Sequence, residues 1–451
     1  MIRGSLRSVS SQILACFVLL VASAAACAQH QLVFTPFNPG GIYAVGEVAG
    51  WSVKPASSAS NLHYSYTVME NNRTLVKAGR IDISSGSARI EVKINEPAMV
   101  LVEVFPESGS ASPSAGIKAG GGVAAQSSVA NTPKPDPVPE AVLGAAISPA
   151  LLKPSVDRPS DFDAFWQGKL KTLATIPMHP ELTQLPGDNP AVNLYTVKLD
   201  SVDSHVQGYL AKPNRQGKFP ALIVYQYAGV YKLNQADTVK RAEAGWLTFN
   251  VDSHDLPPTA ETGVPIDYFK IGNHDREKCY FLDMYLRDTR AIDYIVSRPD
   301  WDGKTLVLIG TSMGGQQSLV TAALNPQRIS AVIVNEPAGA DANGDLHGRK
   351  AGYPYWPSSD PEVGKTSLYF DPVNFAHLIK APTIIAVGFI DTSAPPAGVW
   401  TLFNQLPGPK EIVTMIDSAH NNKTPDKQGN FTRRSNEALE SLLHGNRLDL
   451  R

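Results

Sequence analysis

The segment TLVLIGTSMGGQQSLVTAAL, residues 305–324, decides the fold of this chain. It opens on an apolar, β-branched run, turns through Gly310-Thr311-Ser312-Met313-Gly314, and continues into an Ala- and Leu-rich stretch suited to a buried helix. A G-x-S-x-G pattern is common by chance, but here it sits between a strand and a helix, where its mechanics require it. The sharp turn forces the serine into a strained backbone conformation, and glycines on either side remove side chains that would collide with the strand and helix. Ser312 is thereby expected at the carboxyl end of a sheet, with the Met313 N–H at the helix amino terminus facing the same space, one half of an oxyanion hole. The bland alternative is an N-capping serine in a Gly-rich turn.

Outward from this segment, apolar strands alternate with amphipathic helices from about residue 145 to the end. Candidate strands are NLYTVKL, VQGYLA, PALIVYQY, WLTFNVD, TLVLIGT, SAVIVNE, PTIIAVGF and KEIVTMI. Between WLTFNVD and TLVLIGT, the residues Phe281, Met284, Tyr285, Ala291, Ile292 and Ile295 recur at helical spacing. Short Val- and Ile-rich strands joined through helices specify a mostly parallel, doubly wound sheet covered on both faces.

A serine hydroxyl needs a base to take its proton as it attacks, and that base must be oriented. In chain order, the histidine comes last: His420 follows the final strand, in the loop SAHNN. His444 lies further on, in charged sequence expected at the surface. The carboxylate is expected after the penultimate strand, where Asp391 stands in FIDTSAPP. Glu336, after the preceding strand, is its rival, and Asp417 is close enough to His420 to shape its loop. The second oxyanion amide is expected after PALIVYQY, in Ala228-Gly229-Val230, with the Val230 N–H as candidate.

The remainder of the chain carries no such chemistry. Residues 1–28 read as a cleaved export signal: Arg3 and Arg7 precede an apolar run from Ile13 to Ala22 and a small-residue cleavage site. That run is about half of the ~20 residues a bilayer-spanning helix needs. The expected location is secreted or periplasmic, with lipidation of Cys27 as the alternative. Cys16 and Cys27 leave with the signal, so only Cys279 remains, which excludes an intrachain disulfide and a cysteine-based metal site. Residues 29–107 alternate polar and apolar over short stretches, as in an Ig-like antiparallel β-sandwich. Residues 108–144, rich in Ser, Ala, Gly and Pro, read as a linker to a catalytic unit at 145–451.

Charge narrows the partners. With 40 basic against 42 acidic residues and a net charge of −2, no long-range field collects nucleic acid or an anionic membrane. A small-molecule substrate without a cofactor fits this composition. No histidine pair at ligand spacing suggests a metal.

The serine segment and its flanks resemble the acetyl xylan esterase and cephalosporin C deacetylase family. The likeness begins at KPSVDRPSDFDAFWQGKLKTLATIP, runs through RAIDYIVSRPDWDGKTLVLIGTSMGGQQSLVTAALNPQRISAVIVNEP, and reaches GFIDTSAPPAGVW. It implies the α/β-hydrolase fold and a serine esterase that removes acetyl or other small acyl groups from carbohydrate or related alcohols, including acetylated polysaccharides and oligosaccharides. It makes Ser312, Asp391 and His420 the triad, and Met313 and Val230 the oxyanion amides. The departures fall at the site. Met313 replaces the family's glutamine, Ala228-Gly229-Val230 its His-Gly-Tyr, Asp252-Ser253-His254-Asp255 its Arg-Gly-Gln motif, and His420-Asn421 its His-Glu.

Two further classes compete with this reading. A prolyl-oligopeptidase-like peptidase shares the fold and triad order, but residues 31–107 are too few for its usual propeller. A noncatalytic carbohydrate-binding or adhesion protein with a decayed hydrolase domain is the other, against which the intact triad order argues; carbohydrate or partner binding by the sandwich would run through Trp51, Tyr64 or Tyr66. Those residues equally suit the sandwich's own core.

Overall fold

A computed structural model of the chain describes residues 31–56, 61–107, 138–420 and 425–451. The export signal at 1–28 and most of the expected linker, 108–137, lie outside the described residues. Among the described residues, no helix is long and apolar enough to cross a membrane.

The first unit contains β1 (Leu32–Pro36), β2 (Ile42–Tyr43), β3 (Val48–Pro55), β4 (His63–Glu70), β5 (Thr74–Asp82), β6 (Ala88–Lys93), β7 (Ala98–Pro106) and β8 (Ala141–Ile147). They form a three-stranded sheet, β1-β3-β6, facing a five-stranded sheet, β2-β8-β7-β4-β5. Trp51, Tyr64 and Tyr66 are buried in the core between these sheets, which removes them as a ligand surface.

The boundary expected at residue 107 moves. Strand β8, assigned from its composition to the linker and the start of the catalytic unit, pairs antiparallel with β7, Leu101 opposite Gly144. Its sequence AVLGAAI is buried at most positions, because Ala145 and Ile147 fill the sandwich core while Ala146 packs with the other unit. Strand β7 is likewise covered on both faces. Val100, Val102 and Val104 point into the sandwich and Met99 into the neighbouring core, so period-two alternation is lost.

A single 3-10 turn, Pro149–Leu151, leads into the second unit. Its elements in chain order are α1 (Phe162–Ala174), β9 (Glu181–Leu185), β10 (Val192–Asp200), β11 (His205–Pro213), β12 (Phe219–Tyr225), α2 (Gln235–Glu243), β13 (Leu247–Asp252), α3 (Tyr280–Ser297), β14 (Trp301–Thr311), α4 (Met313–Leu324), β15 (Ala331–Asn335), α5 (Pro361–Ser367), α6 (Pro372–Phe375), β16 (Thr383–Gly388), α7 (Pro396–Gln405), β17 (Lys410–Met415) and α8 (Pro425–Leu443). One nine-stranded sheet runs β17-β16-β15-β14-β12-β13-β11-β10-β9, parallel from β17 to β13 and antiparallel beyond.

Alternate residues of the central strands serve two cores. Leu308, Val334 and Ile385 join α3, α4 and α7 on one face, while Val307, Ile333 and Ile384 meet Ala438 and Leu442 of α8 on the other. Burial on both faces is why these strands read as unbroken apolar runs. All eight strands expected here form; the edge strand β9, ELTQL, was not expected because its exposed side chains carry no apolar pattern.

Candidate active site

Ser312 sits at the turn between β14 and α4 with φ 57° and ψ −123°, a conformation L-residues avoid and that the fold must hold against strain. The flanking glycines explain how. A Cβ on Gly310 would lie 2.2 Å from the Gly314 backbone, and one on Gly314 would lie 2.3 Å from the Tyr225 carbonyl. The turn is thus pressed between β12 and α4 with no room for a side chain, and Ser312 is lifted onto the carboxyl edge of the sheet.

His420 follows β17 on that edge. Its Nε2 lies 2.8 Å from Ser312 Oγ, and its Nδ1 lies 2.7 Å from Asp391 Oδ2. Asp391 follows β16 and is fully buried. Its Oδ1 accepts from the Ser393 and Ala394 N–H groups, each at 2.8 Å. These three residues, named from motif order, come together as a hydrogen-bonded chain.

Glu336 sits beside this chain but outside it. Its Oε1 accepts from Ser418 Oγ and Gln428 Nε2, each at 3.1 Å, while buried Oε2 has no partner among the described residues. Burial, reinforced by the charge of Asp391, pushes its carboxyl up to about 7, against the opposing effects of His420 and its two donors. For His420, burial acts downward, but the hydrogen bond and charge of Asp391, with a contribution from Glu336, outweigh it and raise the imidazole above its ordinary range. Glu336, Asp391 and His420 place potential ligand atoms within 4.8 Å of one another. A cation there would compete with the Nδ1 hydrogen bond. Asp417 is exposed, 3.8 Å from Lys427, and His444 is exposed beside Glu440; neither reaches the site.

A cavity of about 560 Å³ opens above Ser312 and His420, walled by Tyr227, Ala228, Tyr353 and Tyr355. Val230, the expected oxyanion donor, does not line it. Tyr227 and Ala228 of this loop line it instead, and two of the loop's amide groups are engaged elsewhere. The Tyr227 N–H donates to Tyr231 Oη at 2.9 Å, and the Gly229 N–H to Tyr268 Oη at 3.3 Å. The Ala228 N–H has no acceptor among the described residues. Met313 is fully buried, and its sulfur accepts from Tyr268 Oη at 3.2 Å, with Tyr353 Oη 2.7 Å from that hydroxyl.

The Asp252-Ser253-His254 departure lies beneath this aromatic wall. His254 Nδ1 is 2.8 Å from Tyr280 Oη, its ring stands edge-on to Tyr268, and burial lowers its pKa to about 4, which keeps it neutral. Tyr353, Tyr355 and Gln428 were not singled out by sequence. They lie on irregular loops or at a helix start, with no motif or period to mark them.

A doubly wound sheet carrying this serine turn defines an α/β hydrolase. The acetyl xylan esterase (AXE1) family model matches residues 151–343 and 354–434, and the chain belongs to that family. The acetyl esterase Axe7A of Xylanibacter ruminicola is 34% identical over 288 residues, which are 60% of this chain and 65% of that protein. The match therefore spans just under two thirds of the relative. In fold, the chain is similar to an acetyl xylan esterase from Paenibacillus sp. R4, with TM-score 0.57 and 23% identity, covering 66% of this chain and 98% of the other. Acetyl Xylan Esterase 1 from Thermoanaerobacterium sp. JW/SL YS485 gives TM-score 0.53 and 22% identity, covering 60% and 92% respectively.

Proposed function

We propose that this protein is a carboxylic ester hydrolase that removes acetyl or similarly small acyl groups from carbohydrate alcohols through Ser312, His420 and Asp391. The observation that carries the reading is the unbroken path from Ser312 Oγ through both ring nitrogens of His420 to Asp391, with contacts of 2.8 and 2.7 Å. Family membership supports ester chemistry, and the name of the Xylanibacter ruminicola relative supports acetyl as the acyl group.

Ser312 Oγ attacks the ester carbonyl while His420 Nε2 takes its proton. The carbonyl oxygen gains negative charge, which the N–H groups of Met313 and Ala228 stabilise. His420 then gives its proton to the departing alcohol oxygen, leaving an acyl group on Ser312. Water repeats the sequence in reverse and releases the acid. Asp391 holds the imidazole in the tautomer that accepts at Nε2 and offsets its positive charge. Tyr227 and Tyr355, at 49% and 53% exposure, offer aromatic faces at the cavity mouth suited to the apolar face of a sugar ring. The leader-like residues 1–28 favour action outside the cytoplasm.

The test is a panel of p-nitrophenyl esters of increasing acyl length, run beside acetylated xylan and other acetylated glycans. Acetyl should be the preferred acyl group. Ser312→Ala should fold normally and lose on the order of 10³-fold or more in kcat. Wild-type turnover in that variant would end the reading.

A further inference from the structure

The β4–β5 hairpin of the sandwich reaches across to the loop that carries Asp391. Its tip contains Asn71 and Asn72, both at positive φ (52° and 57°), a geometry that asparagine tolerates better than most residues. Buried Asn71 fixes the tip to β7, since its N–H donates to the Met99 carbonyl at 2.7 Å and its Oδ1 accepts the Met99 N–H at 2.9 Å. Asn72 then projects forward, and its Nδ2 donates to the backbone carbonyl of Asp391 at 2.9 Å. Two contacts dock the same tip on the second unit: the Asn71 carbonyl accepts the Lys350 N–H at 3.0 Å, and Arg73 pairs with Asp345 at 2.7 Å.

The same loop is gripped from a second side. A Cβ on Gly144 in β8 would lie 2.6 Å from Phe389 Cβ and 3.0 Å from the Phe389 backbone. Only glycine lets the sheet approach this closely, two residues before Asp391. Phe389 is fully buried under that contact. The acid loop is therefore held by β16 at its base, by β8 on one flank and by Asn72 at the carboxylate residue itself.

We propose that the sandwich is part of the catalytic apparatus, with Asn72 acting as a positioning residue that fixes the Asp391 backbone and, through it, the orientation of His420. Asn72 touches neither Ser312 nor the cavity, so its effect passes only through the acid. The inference rests on the assignment of Ser312, His420 and Asp391 above.

The experiment uses the full chain and two substitutions that tolerate positive φ: Asn72→Gly removes the amide, and Asn72→Asp keeps its shape without the N–H donor. Arg73→Ala is the control, because it loosens the same docking without touching the Asp391 carbonyl. Three quantities are read well below each melting midpoint: kcat and KM on a p-nitrophenyl acetate assay, and the rate at which a fluorophosphonate labels Ser312. Both Asn72 variants should lose on the order of fivefold in kcat and in labelling rate, the weight of one hydrogen bond, with KM unchanged. Arg73→Ala should keep both rates. Wild-type kcat and labelling in both Asn72 variants, or equal losses in Arg73→Ala, would overturn the proposal. Failure of the fluorophosphonate to label the wild-type chain at Ser312 would instead remove the site assignment on which it stands.

Discussion

Two buried carboxyls stand side by side at the carboxyl edge of the sheet, one on the loop after β15 and one on the loop after β16. Glu336 and Asp391 are both fully buried, and both lie within reach of His420. They differ in what surrounds them. Asp391 receives two backbone N–H donors on one oxygen and the His420 ring on the other. Glu336 receives two side-chain donors on one oxygen and, among the described residues, none on the other, and its carboxyl is pushed up to about 7. Proximity to the histidine therefore does not assign the acid. The donor sets distinguish the two: the Asp391 carboxylate is fixed with one oxygen on the ring, and on that ground it is the proposed acid.

The contrast breaks if the two residues are exchanged in importance. Asp391→Asn should cost up to about 10⁴-fold in kcat, because an amide at that position favours the wrong imidazole tautomer. Glu336→Gln keeps the volume and an acceptor for Ser418 and Gln428, so it should cost less than about fivefold. A larger loss in Glu336→Gln would move the orienting role one strand earlier.

The pH profile sharpens the same contrast. Attack needs neutral His420, so kcat/KM should rise with pH as one proton leaves the imidazole and flatten above its pKa. Since the net effect of the site is to raise that pKa, the midpoint should lie above the ~6.5 of free imidazole. Activity is lost as pH falls through it. Removing the Glu336 carboxyl takes away one contribution that raises the pKa, so Glu336→Gln should shift the midpoint to lower pH. An unchanged midpoint would show that Glu336 is electrostatically silent toward the base. The smallest effect concerns metals: prolonged dialysis against a chelator should leave the rate unchanged. Loss of activity restored by zinc would make Glu336, Asp391 and His420 a ligand set.

What could be read from the sequence follows from where the physics is local. The turn at Ser312 declares itself because strand, glycines and helix must be contiguous, and the order of Asp391 and His420 follows from the winding of the sheet. The choice between Val230 and Ala228 was beyond the sequence, because which amide faces a cavity depends on single backbone torsions in a loop; Ala228 lines the cavity and Val230 does not. Strand β8 was missed because its small residues look like linker, whereas they are small so that two sheets and the Phe389 loop can close together. Asn72 was invisible for a different reason: its partner lies 319 positions away in the chain.

The placement of β8 has a consequence for how the chain tolerates being cut. Strands β7 and β8 are antiparallel neighbours, with Ala98 opposite Ile147 and Val104 opposite Ala141, so the segment between them leaves and re-enters the same sheet. A protease that cleaves within 108–137 separates the chain covalently but leaves the β7–β8 ladder intact, with β8 still joined to the hydrolase unit through Pro149–Leu151. The nicked molecule is then a complementing pair of fragments held by backbone hydrogen bonds and a shared core.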